Sequence, residues 1–319
     1  MVIGTPSPEP PMIELRRLHR FFGNTKAVND ISFEVSKGQV FGFIGPNGAG
    51  KTTSMRILAT LELPSYGDAL IDGFSAINDP DHVRRRMGFM PDGFGTYPNV
   101  NCVEYLDFFA RSYGLVGRER SAAVRHVLGF TGLDKIASKP TRGLSKGMRQ
   151  RLCLGRAMIH DPSVLILDEP ANGLDPRARI ELRKMIGELA ANGKSILVSS
   201  HILTELAEMC DRVGIVERGE LLAVGSVQEI QKGARDTILV HMRVLDRPDE
   251  LLAWLESQPW AHQIQCNGND FHFEFQGEQA DLARILREIV LAGFSPIAFT
   301  AKTRSLEDVF MQVTTGAVQ

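Results

Sequence analysis

The stretch Gly45-Pro46-Asn47-Gly48-Ala49-Gly50-Lys51-Thr52-Thr53 limits what this chain can become more than any other feature of it. It stands between an apolar run, Val40 to Ile44, that reads as a strand, and a segment from about Lys51 that reads as a helix. Glycine, four residues, glycine, lysine and a hydroxyl residue is the spacing of a loop that wraps phosphate. Glycines let backbone N–H groups close on phosphate oxygens, and the helix N-terminus adds partial positive charge. Lys51 is then expected at the outer phosphates and the Thr52 hydroxyl at Mg²⁺. A glycine-rich turn that binds nothing is the plain alternative, but the position at a strand-to-helix junction is what the mechanism demands.

A second apolar run, Val164 to Leu167, ends in Asp168 and Glu169. Acidic pairs at strand ends also serve solubility alone; beside a phosphate loop they acquire a use. Placed next to the strand Val40 to Ile44, the run brings Asp168 toward Mg²⁺, through a coordinated water. Side-chain alternation turns Glu169 elsewhere, toward the γ-phosphate and its attacking water. Asn172-Gly173-Leu174-Asp175-Pro176 then marks a tight loop into a helix from Arg177. Upstream, the Ser145 and Gly147 of Leu144-Ser145-Lys146-Gly147-Met148-Arg149-Gln150 sit at a helix N-terminus, a second anion site. A further buried strand, Ser195 to Ser200, delivers His201; a lone histidine there is commonly a structural hydrogen-bonder, and its position favours a γ-phosphate contact.

Taken in order, GPNGAGKTT, LSKGMRQ, LILDEP, NGLD and SSH resemble the Walker A, signature, Walker B, D-loop and switch histidine of the ATP-binding subunits of ATP-binding-cassette (ABC) transporters. The resemblance implies a P-loop NTPase cassette of the α/β class, a mixed sheet with helices on both sides plus a helical subdomain. It implies ATP and Mg²⁺ as cofactors and a homodimer with each ATP held between one Walker A and the other subunit's signature. A separate membrane permease would be the partner, with the chain peripheral at the cytoplasmic face of the membrane. Carried onto this sequence, Lys51, Glu169 and His201 are catalytic. Gly45, Asn47, Gly48, Gly50, Lys51, Thr52 and Thr53 bind nucleotide, and Thr52, Asp168 and Asp92 serve the metal. Phe22 matches the aromatic on adenine, with core packing as the alternative because Phe21 adjoins it; Val28 matches the apolar residue beside the base. Ser145 and Gly147 match the groups that reach the opposite γ-phosphate, and Asp175 the acid at the dimer seam.

Three departures stand out. The signature carries Lys146 where the resembled family usually has glycine and Met148 where it has glutamine, Phe22 replaces the commoner tyrosine, and Asp92 replaces a glutamine that touches Mg²⁺. A carboxylate at 92 adds negative charge beside Asp168, Glu169 and the phosphates, which predicts a stronger Mg²⁺ dependence of ATP binding.

Between Asp92 and the signature, Asn101 and Glu104 have capping-box spacing ahead of a helix whose Tyr105, Phe108, Phe109 and Ser112 or Tyr113 recur at helical period. These aromatics read as core on one face; in the resembled family the same subdomain, with the loop Gly93 to Asn99, receives a permease. After about Gly233 the pattern becomes strand, helix, two strands across Asn267-Gly268-Asn269-Asp270, helix and strand, a small ferredoxin-like α+β unit, then a last helix over 305–315. Its ending, Ser305 to Phe310, resembles the C-terminal domain of exporter-type cassettes. The domains expected are therefore a disordered lead-in over 1–11, the ATPase over 12–233 with its helical subdomain at about 93–160, and an accessory unit over 234–319.

With a net charge of -2 and dispersed basic residues, a nucleic-acid partner has no electrostatic support. No apolar run reaches the ~18 residues that cross a bilayer, and Cys102, Cys153, Cys210 and Cys266 lack metal-ligand spacing and read as reduced thiols. Two rivals remain open: a cassette ATPase of translation or repair, disfavoured by a single cassette and the absence of heptads, and an ATP-dependent switch with little turnover.

Overall fold

Strands whose residues are buried along their whole length belong inside a parallel sheet covered on both faces, and three such strands organise this chain. In the computed structural model, residues 10–303 are described apart from 94, 96, 98, 203–205, 207, 231–236 and 278. The chain divides into two compact units, residues 1–226 and 227–319.

The first unit begins with β1 (Ile13–Phe22) and β2 (Thr25–Val35), followed by β3 (Val40–Ile44), α1 (Lys51–Leu58), β4 (Tyr66–Ile71), β5 (Phe74–Ser75), α2 (Pro80–Arg86) and β6 (Met87–Met90). Helices α3 (Cys102–Ser112), α4 (Gly117–Phe130) and α5 (Lys146–Met158) form the helical subdomain, and β7 (Val164–Leu167), α6 (Pro176–Ala191), β8 (Ser195–Ser200), β9 (Arg212–Glu217) and β10 (Glu220–Ser226) complete the unit. An antiparallel sheet of order β2-β1-β4-β5 packs its apolar face, through Ile13, Leu18, Ile31 and Val35, into the same core as Phe41 and Phe43 of β3. The second sheet has the order β10-β9-β3-β8-β7-β6, parallel except for β10. Phe22 and Val28, expected at the base of the nucleotide, lie on β1 and β2 of the first sheet.

One expectation is overturned. Val164–Leu167 does not lie beside the P-loop strand: β8 intervenes, pairing with β3 on one side and β7 on the other. All six residues of β8 are buried, as a strand enclosed on both faces and both edges must be. The helix after the NGLD loop starts at Pro176, with Asp175 as its N-cap, since proline is well suited to the first helical position.

In the second unit, β11 (Thr237–Val244), α7 (Pro248–Glu256), β12 (Ala261–Asn267), β13 (Asp270–Gln276), α8 (Leu282–Leu291) and β14 (Pro296–Thr303) follow one another. The sheet order β12-β13-β11-β14, antiparallel throughout, is that of a ferredoxin-like fold. Period-two alternation puts Ile238, Val240, Met242, Phe271, Phe273 and Phe275 on one face, where Leu251, Leu255, Ile285 and Ile289 of the helices meet them. The expected last helix over 305–315 lies outside the described residues.

Candidate functional site

The P-loop connects β3 to α1, and two of its glycines admit nothing larger. A Cβ on Gly45 would come within 2.2 Å of the Val216 carbonyl oxygen, and one on Gly50, at φ +101°, within 2.3 Å of the Ala27 carbonyl oxygen. Gly50 is the N-cap of α1, so the left-handed turn that glycine permits aims the helix start into the loop. Lys51 Nζ donates to the carbonyls of Gly45 at 2.6 Å and Pro46 at 3.1 Å, folding back over its own loop. The result is a cleft of ≈ 430 Å³ lined by Asn47, Gly48, Gly50, Lys51, Thr52 and Thr53, with Asp92, Glu169, Asn172 and His201 opposite.

The two carboxylates after β7 diverge for a reason other than strand alternation. Asp168 continues the ladder, its N–H donating to the Met90 carbonyl at 2.8 Å. Glu169 leaves it in the left-handed region, at φ +48°, a conformation costly for a residue with a Cβ and found where a site is over-determined. Between them, Ser199 Oγ donates to Asp168 Oδ1 at 2.7 Å and accepts the Glu169 N–H at 2.9 Å. The carboxylate of Glu169 is held at Oε2 by His201 Nδ1, 2.8 Å away. Its Oε1 is buried without a hydrogen-bond donor, with Lys51 Nζ at 3.5 Å as an ion pair.

Burial sets the electrostatics. It pushes the Asp168 carboxyl above the usual range, with Glu169 and Asp92 adding to the rise, while hydrogen bonds from Ser199 and Thr52 oppose it. Burial likewise lowers Lys51, against the pull of Glu169 and Asp168 upward. Asp92 lies in the exposed loop after β6, where its Oδ1 accepts the Asn172 amide at 3.1 Å.

The remaining expected residues are dispersed around this centre. Ser145 is the N-cap of α5, its Oγ accepting the Met148 N–H at 3.3 Å; Gly147 lies in the first turn of the helix. Asp175 caps α6 by accepting the Ala178 N–H at 2.9 Å. Phe22 is 48% exposed, with the Arg20 guanidinium 4.4 Å above its ring, and does not line the cleft. Val28 is turned into the core of the unit; the residue of β2 that reaches the cleft is Ala27. Ser199 and Asn172 received no role from the sequence. Two serines at the end of a fully buried strand, in SILVSS, were the available signal for the first. Of the aromatic series on α3, Tyr105 is buried while Phe108 is 53% exposed and meets Tyr97 edge-on at 6.1 Å. Part of the expected contact loop, residues 94, 96 and 98, lies outside the described residues.

These groups fit a nucleoside triphosphate with one divalent cation. The loop backbone packs too closely at Gly45 and Gly50 for any side chain, a buried ammonium lies within it, and one buried oxygen of Glu169 has no hydrogen-bond donor. Among the described residues no group of three or more His, Cys, Asp or Glu side chains forms a metal cage.

The family described as ABC transporter matches residues 28–172, and the family described as ATP-binding protein DrrA1-3-like, C-terminal domain, matches residues 225–314. Over 306 residues the chain is 34% identical to the Nod factor export ATP-binding protein I of Cupriavidus pinatubonensis, spanning 95% of this chain and 90% of that protein. It is 31% identical over 306 residues to the protein of the same description from Ralstonia nicotianae, spanning 95% of this chain and 94% of the relative. A solved ATP-binding subunit of an ABC transporter superposes with a TM-score of 0.64 at 30% identity, covering 70% of this chain and 92% of that one.

Proposed function

The chain belongs to the family of ABC transporter ATP-binding proteins, and from that premise we propose that two copies close around two ATP, hydrolyse them, and drive a separate permease that exports its cargo. ATP binding and hydrolysis coupled to transport is the activity of the family; the pairing, the export direction and the roles of individual residues are our reading. Export is supported by the description of the relatives that the chain matches over 90% or more of their length.

The observation that carries the mechanism is the Glu169 carboxylate, at a residue that lines the cleft, with Oε2 held by His201 and Oε1 buried beside Lys51 without a hydrogen bond. A water there donates one proton to Oε1 as its oxygen attacks the γ-phosphorus, and the bond to the β-phosphate oxygen breaks, giving ADP and phosphate. Ionised Glu169 accepts from His201 Nδ1, which fixes that proton on Nδ1 and orients the base. Lys51 leaves the carbonyls of Gly45 and Pro46 for the outer phosphate oxygens and offsets their charge. Thr52, Asp168 and Asp92 would hold Mg²⁺, which when bound neutralises the triphosphate and orients the γ-phosphate. Ser145 and Gly147 of one copy, beside Asp175, meet the γ-phosphate of the other; its loss removes the charge that joins the two faces.

The permease contact is assigned to the exposed aromatics of the helical subdomain, Phe108 and Tyr97. Among the described residues no helix is long and apolar enough to cross a membrane; the place we propose for the chain, at the cytoplasmic face beside its permease, is supported by the relatives' description as export ATP-binding proteins. The test is Glu169→Gln, expected to cut phosphate release by roughly a hundredfold or more and to trap an ATP-dependent dimer seen by light scattering. An unchanged rate removes Glu169 as the base. A monomer with ATP bound assigns closure to the permease or makes the cassette a nucleotide sensor.

A further inference from the structure

Strand β8 lies between the P-loop strand and the strand that carries the carboxylates, yet it ends in two serines where a strand buried on both faces normally places branched apolar residues. Ser200 has a local task, its Oγ accepting the Ile202 N–H at 2.9 Å. Ser199 reaches across the sheet. Its hydroxyl has one proton and two lone pairs. The ionised Asp168 can only accept, so the proton lies on the 2.7 Å bond to Oδ1, and a lone pair takes the Glu169 N–H at 2.9 Å. Glu169 is thereby pinned at three points: its N–H by Ser199, its carbonyl by the Asn172 N–H at 3.0 Å, and its carboxylate by His201.

We infer that Ser199 is a positioning residue for hydrolysis, bridging the Asp168 carboxylate and the Glu169 N–H and holding the left-handed backbone that places the Glu169 carboxylate for the attacking water. The inference rests on the proposed role of Glu169. An extended backbone at residue 169 would keep its side chain on the strand's alternation, and among the described residues the Ser199 hydroxyl is what satisfies that buried N–H in the left-handed state. Removing the hydroxyl leaves an unpaired N–H behind the base and frees one oxygen of Asp168, while the P-loop that binds ATP is untouched.

The distinguishing pair is Ser199→Thr and Ser199→Val, alike in shape and different only in the hydroxyl, with Ser199→Ala as a variant that adds no methyl group to the core. Steady-state hydrolysis by the full chain is measured for each, with ATP binding followed separately by a fluorescent analogue. Ser199→Val and Ser199→Ala are expected to lose about tenfold or more in kcat, with KM for ATP and analogue affinity within about threefold of the parent; Ser199→Thr restores most of the turnover. In Glu169→Gln the further change Ser199→Val should cost nothing more, because residues acting as one unit are not additive. Equal rates for the Thr and Val variants, an Ala variant as fast as the parent, or a loss confined to KM would each overturn the inference. If Glu169→Gln turns over normally, the reading of Glu169 fails; if Glu169→Gln is inactive and Ser199→Val is not, only the role of Ser199 fails.

Discussion

The two faces of the cassette solve opposite problems. In the cleft, Lys51, Asp168, Glu169 and Ser199 are buried and bonded to one another, so their geometry exists before any ligand arrives. At the signature and the loop beside it, Ser145, Lys146 and Asp175 are exposed, and Ser145 and Asp175 are bonded to the first turns of their own helices. Preorganised charges act strongly in a water-excluded site, at the cost of burying them. Capped helix ends satisfy themselves in water and still present spare lone pairs and N–H groups outward. The first arrangement suits chemistry; the second suits a surface that meets its ligand only when another copy brings it.

That contrast breaks most sharply on a single pair of variants. Lys51→Ala removes the buried cation and is expected to weaken ATP binding or turnover on the order of a hundredfold, in one copy as in two. Ser145→Asn, which keeps an N-cap, is expected to leave ATP binding by a single copy within about twofold while lowering turnover of the pair by about tenfold. Equilibrium binding at a concentration too low for pairing separates the two. If Ser145→Asn weakened single-copy binding as much as Lys51→Ala, the signature would belong to the same site as the P-loop and the comparison would collapse.

Asp92 stands at the margin of the cleft, exposed and held by Asn172. On charge grounds Asp92→Gln should reduce the Mg²⁺ dependence of ATP binding, by about threefold in the Mg²⁺ concentration at half-saturation. Superimposable Mg²⁺ titrations of parent and variant would show that the Asn172 amide already masks the carboxylate.

How far the sequence disclosed these features follows from how local their causes are. The P-loop, the capping box at Asn101 and Glu104, and the alternation of β11 and β13 are set by neighbours in sequence, and the structure shows each where the pattern put it. The second unit's order of strands also follows from its order of elements, since its topology has few alternatives. Strand order in the large sheet does not: β3, β7 and β8 are each buried along their whole length, and no periodicity says which of them is central. From that single ambiguity came both the misplaced Val164–Leu167 and the silence about Ser199, whose partners lie 30 and 31 residues away. The positive φ of Glu169 was hidden for the same reason, because a non-glycine left-handed residue has no signature in composition. Val28 was displaced by one position along β2, where a one-residue step turns a side chain from cleft to core.

The smallest expected effect measures what the buried face costs before ligand arrives. Asp168 is almost wholly buried, and burial raises its carboxyl above the ordinary range. A carboxyl whose folded pKa exceeds its unfolded value destabilises the fold where it is ionised, above the folded pKa. That penalty shrinks as pH falls through the folded value and is gone below the unfolded one. Asp168→Asn removes the charge and keeps an oxygen to accept from Ser199. In nucleotide-free protein near pH 7 it should therefore raise Tm by about 2–4 °C, the equivalent of about 1 kcal/mol in a domain of this size, even as hydrolysis is lost. The gain should narrow as the pH is lowered toward the ordinary carboxylate range, where the parent's Asp168 becomes neutral as well. Thermal melts of the two proteins across that range read the sign directly. A variant less stable than the parent at neutral pH would mean that the hydrogen bonds from Ser199 and Thr52 outweigh burial, and that the cleft is held together by the charges it was expected to tolerate.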